Sequence, residues 1–122
     1  MRKKYRLRGR RNFLTVYNQG RTWANELLVL KALANGLPHN RYAFAVGRRL
    51  GKAVVRNRLR RRLREGVRSL TLAGGWDVIV VARRPAVVAD YHRLQAAAAS
   101  VLQRASMLVV TQPVGGGGGG RR

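Results

Sequence analysis

Acidic residues are almost missing from this chain: four Asp and Glu stand against 26 Lys and Arg in 122 residues, a formal net charge of +22. Few partners other than a polyanion can neutralise such a surface, so nucleic acid leads on charge alone. Cysteine is absent, which excludes disulfides and thiolate metal sites and fits a reducing cytoplasm. Long hydrophobic runs are absent too, and none approaches the roughly 20 residues that span a bilayer. The basic opening MRKKYRLRGRR leads into no apolar signal core, so a cytoplasmic protein without a membrane partner is expected. The scarce acids, Glu26, Glu65, Asp77 and Asp90, are scattered, and His39 and His92 have no second ligand at metal spacing. Neither a two-metal carboxylate site nor a His-based acid–base pair can be assembled from them, so no catalytic residue, no metal ligand and no protein-bound cofactor are expected.

What is present is enough apolar material for one core, 46% of the chain, and the expectation is one domain over residues 1–110. Residues 111–122, TQPVGGGGGGRR, have no apolar periodicity and many glycines, and read as a disordered basic tail. In NFLTVYNQG, Asn12 is placed to cap a short helix and Gly20 to end it in the left-handed conformation, with Phe13, Val16 and Tyr17 on one face. Residues 23–34 read as extended. After the turn NGLPHN, RYAFAVG alternates large Tyr42, Phe44 and Val46 with small Ala43 and Ala45, and the two segments are expected to pair as neighbouring antiparallel strands. WDVIVVA is apolar on both faces and is expected to be the central, most buried strand. Asp90 looks like the cap of a last helix whose packed face carries Leu94, Ala98, Val101 and Leu102. Trp23 and Trp76 are read as packing residues at strand ends.

Between these lies GRRLGKAVVRNRLRRRLRE, residues 47–65, dense in arginine yet keeping an apolar rhythm. A helix over about 52–70 would carry the stripe Val55, Leu59, Leu63, Val67 and Leu70. Arg60, Arg61, Arg64 and Arg68 then lie opposite the stripe with Asn57, while Arg56, Arg58 and Arg62 flank it. Arginine suits phosphate because its planar fork donates in pairs and never deprotonates. The order helix, strand, strand, basic helix, strand, helix gives an α+β class, a two-layer α/β sandwich of order α-β-β-(β)-α-β-α.

Gly51, Ala53, Val54, Arg56, Asn57 and Arg58 stand in the register Gly-x-Ala-Val-x-Arg-Asn-Arg, with Arg60, Arg61 and Arg64 following. Upstream come Val46, Arg48 and Arg49; downstream Ala82, Arg83, Arg84 and Pro85; and near the start Phe13, Tyr17 and Gly20 form two aromatics four apart followed by glycine. On these residues, across most of 6–108, the chain resembles the bacterial ribonuclease P protein subunit, the small basic partner of a catalytic RNA that removes the 5′ leader from precursor tRNA. It departs from the family pattern at Gly47, where relatives often carry Ser, and at Lys31, where they often carry an aromatic.

The resemblance implies a basic helix in an unusual left-handed β-α-β crossover. It also implies a ribonucleoprotein endonuclease whose RNA does the hydrolysis, with Mg²⁺ held mainly by RNA. Arg48, Arg49, Lys52, Arg56, Asn57, Arg58, Arg60, Arg61 and Arg64 are then the residues expected on the catalytic RNA. Phe13, Tyr17, Lys31 and Phe44 are those expected on the single-stranded leader of precursor tRNA. The implied partners are these two RNAs, with no obligate protein partner. The alternative is a structural RNA-binding protein, a ribosomal protein or RNA chaperone with a related basic sandwich, which shares the charge but does not require both motifs.

Overall fold

The strand with the most two-sided hydrophobicity organises the sheet. In the computed structural model, which describes residues 2–107, β4 (Trp76–Ala82) is an inner strand, and Val78, Ile79 and Val80 are 0–1% exposed. Around it the elements run α1 (Arg10–Gln19), β1 (Arg21–Ala24), β2 (Leu28–Ala34), β3 (Arg41–Ala45), α2 (Ala53–Arg68), β4 and α3 (Tyr91–Arg104), with 3₁₀ turns at Lys3–Tyr5, Arg48–Leu50 and Arg84–Val88. The sheet order is β1-β2-β4-β3. β2 pairs antiparallel with both β1 and β4, while β3 runs parallel to β4, so α2 is the crossover between two parallel neighbours.

Two expectations about the strands are corrected. The extended run 23–34 is a hairpin rather than one strand, broken where the Asn25 side chain accepts hydrogen bonds from the amides of Leu27 and Leu28. β2 and β3 are not neighbours, because β4 lies between them. β4 is apolar on both faces and gains most from two flanking strands, and the six-residue turn 35–40 is long enough to pass β3 across its end.

Alternation along the strands divides the core. Leu28, Leu30 and Ala32 of β2 and Val78, Val80 and Ala82 of β4 face Leu59, Leu63 and Val67 of α2 and Leu94, Ala98, Val101 and Leu102 of α3. On the other face Ile79 packs with Val16 of α1 and with Leu7. α2 and α3 therefore cover one face and α1 covers part of the other, which leaves Lys31, Ala43, Ala45 and Val81 only half-buried. That uneven coverage creates a cleft beside α1.

The ends of α1 differ from expectation. Asn12 lies inside the helix, its amide donating to the Arg8 carbonyl, and Gly9 is the residue that precedes the first turn. Gly20 is extended, not left-handed; a Cβ there would sit 2.5 Å from the Val16 carbonyl oxygen and 3.0 Å from that of Ala32. Glycine is needed for close approach to β2 rather than for a turn. Asp90 caps α3 as expected, accepting from the Arg93 amide at 2.8 Å. The segment 111–122, read from sequence as a tail, lies outside the described residues. Among the described residues no helix is long and apolar enough to cross a membrane.

Candidate nucleic-acid interface

The apolar stripe fixes where every arginine of α2 points. Leu59, Leu63 and Val67 are buried, whereas Val54 is 63% exposed and belongs to the outer surface of the first turn. Before α2, the chain makes a 3₁₀ turn and passes through Gly51 at φ 147°, ψ −174°, a conformation closed to side-chain-bearing residues. This places the Gly51 carbonyl where Arg56 Nε donates to it at 3.0 Å. One residue on, Asn57 Oδ1 accepts from Arg60 Nη1 at 2.7 Å. The motif is thus held by its own hydrogen bonds: Arg56 half-buried and anchored, Asn57 orienting Arg60, and Arg58 and Arg61 exposed. Arg48, Arg49 and Lys52 are exposed at the same end of the helix. No acidic residue lies in the first turn, and Lys52 as N-cap makes no side-chain cap. The free amides of that turn add to the positive potential.

Carboxylates do little to offset this charge. Among the described residues the ion pairs within 4.0 Å are Arg41 with Asp77 and Arg93 with Glu26. Arg93–Glu26 is 3.8 Å long between exposed side chains and contributes little. Arg41–Asp77 is a two-pronged bond at 2.8 and 2.7 Å across the β3–β4 pair, joined by Asn35 at 2.9 Å. Burial pushes the Asp77 carboxyl up. Hydrogen bonds from Arg41 and Asn35 and the charges of Arg41 and His39 outweigh that effect and hold it below the usual carboxylate range. Among the described residues, no group of three or more His, Asp or Glu is gathered as metal ligands would be. The four acids are spent as a strand clamp, a helix cap and two exposed surface residues, so the residues present do not fit a protein-held Mg²⁺.

Arg60 and Arg64, expected opposite the stripe, instead flank it on the β3 side and are half-buried. They line a groove of about 320 Å³ with Tyr42, Phe44, Arg6 and Arg8. Arg6 and Arg8 were not singled out from the sequence. They arrive because the N-terminal arm lies along the free edge of β3, with the Leu7 amide donating to the Tyr42 carbonyl at 2.8 Å and Arg6 bridging Tyr42 in parallel. In this extended stretch Leu7 turns into the core while Arg6 and Arg8 turn out. The x-R-L-R-x alternation was the available signal, lost in the arm's overall charge.

The cleft beside α1 gathers three of the four residues expected on the leader. Phe13 and Tyr17 stack with ring centroids 5.9 Å apart and planes 17° apart. Lys31 Nζ lies 4.5 Å from the centre of the Tyr17 ring and donates to Thr22 Oγ1 at 3.1 Å. Tyr17 is 43% exposed while Phe13 is half-buried on the Ile79 cluster. Phe44 is not part of this cleft. It stacks on Tyr42 at 6.3 Å and packs on the core beneath α2, because the period-two alternation that puts Ala43 and Ala45 toward α1 turns Phe44 to the opposite face.

Comparison with known proteins agrees with this geometry. The family model described as Ribonuclease P matches residues 1–106. The chain is 47% identical over 89 residues to the ribonuclease P protein component of Roseiflexus castenholzii, covering 71% of this chain and 73% of that one. It is 46% identical over 99 residues to that of Symbiobacterium thermophilum, covering 78% and 85%. Among solved structures, the Staphylococcus aureus ribonuclease P protein superimposes with a TM-score of 0.78 at 30% identity, covering 86% of this chain and 98% of that one. The Thermotoga maritima protein gives 0.74 at 31%, covering 81% and 96%. With a motif held by its own hydrogen bonds at the start of α2, an aromatic cleft beside α1, and sequence and fold both matching, this chain belongs to the ribonuclease P protein family.

Proposed function

We propose that the chain binds the catalytic RNA of ribonuclease P and the single-stranded 5′ leader of precursor tRNA, assisting leader removal without supplying a catalytic group. The observation that carries this reading is the pre-set cluster at the start of α2. Arg56 is fixed by Gly51 and Arg60 by Asn57, and Arg58 and Arg61 project from the same short stretch with no carboxylate partner among the described residues. Paired guanidinium donors held in place orient a folded RNA by its phosphates and lose little side-chain entropy on binding. Arg48, Arg49, Lys52 and Arg64 widen that contact.

The α1 cleft suits a different RNA. Bases of a single strand can lie against Phe13 and Tyr17, a contact worth about 1–3 kcal/mol per base and tolerant of sequence. Tolerance is what a processor of many leaders needs. Lys31 supplies a cation over the Tyr17 ring in the same cleft, so a backbone phosphate is drawn in beside the stacked base. The chemistry belongs to the RNA, whose phosphates hold Mg²⁺; the protein lowers the repulsion between two polyanions that must approach one another. Such work belongs in the cytoplasm, with these two RNAs as partners and no obligate protein partner.

The test is to add purified protein to its cell's own ribonuclease P RNA at low Mg²⁺ and measure 5′ cleavage of precursor tRNA. Restored cleavage that needs both components is expected. Cleavage by the protein alone, or RNA binding with no rescue, would replace this reading with a nuclease or with a structural RNA-binding protein.

A further inference from the structure

A cavity of about 810 Å³ opens at the far end of α2 from the Arg56-Asn57-Arg58 motif, between the N-terminal arm, the turn before β3 and the last turn of the helix. It shares Tyr42 with the groove at Arg60 and Arg64, and no residue assigned above to either RNA lines it. Its volume is in the range of small-molecule sites, roughly 300–1,000 Å³. Its lining includes the apolar Val67, Leu70 and Leu72 and the aromatic Tyr42, Tyr5 and His39, the rings of the last two meeting edge to face at 5.5 Å. Arg2 and Arg68 stand at it, and none of the four acids lines it.

The polar groups inside are already committed in a way that fixes what they can still do. Asn40 is buried, with both N–H groups engaged by the Ala73 carbonyl and the Tyr42 hydroxyl and its carbonyl accepting from the Trp76 amide. Because the Tyr42 oxygen accepts from Asn40, its own O–H is left to donate. Burial pushes the Tyr42 phenol up, more than the Asn40 bond lowers it, so that hydrogen stays in place at neutral pH. Aromatic rings in the lining suit a π-face, a single O–H donor suits an acceptor at the rim, and two arginines suit a phosphate. A base within a duplex offers no free face, whereas an unstacked one does.

We propose that this cavity takes one unstacked nucleotide of the RNA gripped by α2, its base against Tyr5, His39 and Tyr42 and its phosphate at Arg2 and Arg68. This rests on the reading of α2 as the RNA-binding helix. It adds a third contact that would hold the RNA at both ends of α2 and so set its direction along the protein.

The proposal is tested by titrating ¹⁵N-labelled protein with AMP or UMP, with ribose 5-phosphate and inorganic phosphate as parallel arms at matched ionic strength. Nucleotides are expected to shift the amides of Tyr5, His39, Leu70 and Leu72 in a saturable way, and the two base-free anions are not. Tyr5→Ala should weaken AMP binding about tenfold, the loss of one stacking contact, with α3 amides unchanged to show that the fold survives. The Arg56→Ala, Arg58→Ala variant should bind AMP as before while its affinity for the catalytic RNA falls at least about 30-fold. If inorganic phosphate reproduces the nucleotide pattern, the site is an ion site and the proposal fails. It fails equally if nucleotides leave these amides unmoved while the same protein binds the catalytic RNA. If the wild-type protein does not bind the catalytic RNA at all, the reading of α2 falls first and takes the source of the nucleotide with it.

Discussion

On α2, Arg58 and Arg61 stand in solvent and Arg56 and Arg60 are tied down by Gly51 and Asn57; across the sheet, the cleft beside α1 offers two stacked rings and one lysine. Both regions sit on the same strands, yet one is built from charge and the other from apolar area. Under the function proposed above, the difference lies in what each would recognise. Phosphates of a folded RNA are fixed in space and reward fixed donors, whereas a flexible leader rewards surfaces on which any base can lie. On that reading each should also respond differently to salt: displaced counterions should dominate at α2, and burial at the cleft.

That contrast can be broken in four ways. The largest effect is expected from Arg56→Ala combined with Arg58→Ala. Two charge-assisted contacts are worth about 2–4 kcal/mol together, so affinity for the catalytic RNA should fall about 30- to 1,000-fold. The slope of log affinity against log salt should become shallower by about 2, checked by filter binding across a salt series. A large loss with an unchanged slope would mean that the helix had been deformed rather than stripped of phosphate contacts.

Phe13→Ala with Tyr17→Ala comes next. Binding of leader-bearing precursor tRNA by the reconstituted enzyme should weaken by about 1–3 kcal/mol, with its salt slope nearly unchanged and mature tRNA unaffected. Because Phe13 also packs on the Ile79 cluster, a melting curve must show the variant folded. Tyr17→Ala alone, at a more exposed ring, is the cleaner measurement.

Asp77→Asn should act on both regions through the sheet they share, since the Arg41–Asp77 clamp ties β3 to β4 at the start of both strands. The side chains of Arg41 and Asp77 are 28% and 9% exposed, so solvent screens part of the pair and the cost is about 1–2 kcal/mol of stability. The folded-state pKa of Asp77 lies below its unfolded value. Its stabilisation is therefore complete above the unfolded value and is lost as pH falls through the folded one. Thermal melts between neutral and acid pH should show the wild type losing this margin while Asp77→Asn, already without it, shows a flatter acid limb.

The smallest effect is expected from Lys31→Met. Removing the cation over the Tyr17 ring should cost about 0.5–1 kcal/mol in leader binding and take most of the salt dependence of that step with it. A gain in leader affinity would mean that Lys31 blocks the ring rather than assisting it.

Much of this was legible from sequence because it rests on periodicity. The spacing of Leu59, Leu63 and Val67 placed the basic helix, and the two-sided apolar run marked β4 as central. Pairing was less legible. Nothing in β2 or β3 says that β4 inserts between them, since that depends on where a six-residue turn lands. Phe44 illustrates a subtler limit: its alternation with Ala43 and Ala45 was plain, but which face met α1 depended on that pairing. Asn57 was placed in the motif by pattern, while its hydrogen bond to Arg60 shows the reason for an amide there. Arg6 and Arg8 were hidden by a uniformly charged arm whose docking on β3 leaves only a faint alternation around Leu7.

The division of labour between the two regions is tested most directly by one measurement on the reconstituted enzyme: the ratio of affinities for precursor and mature tRNA, alongside affinity for the catalytic RNA, in each double variant. Phe13→Ala with Tyr17→Ala is predicted to bring the ratio close to one while leaving catalytic-RNA affinity intact, and Arg56→Ala with Arg58→Ala to do the reverse. Loss of both quantities in both variants, in folded protein, would contradict it.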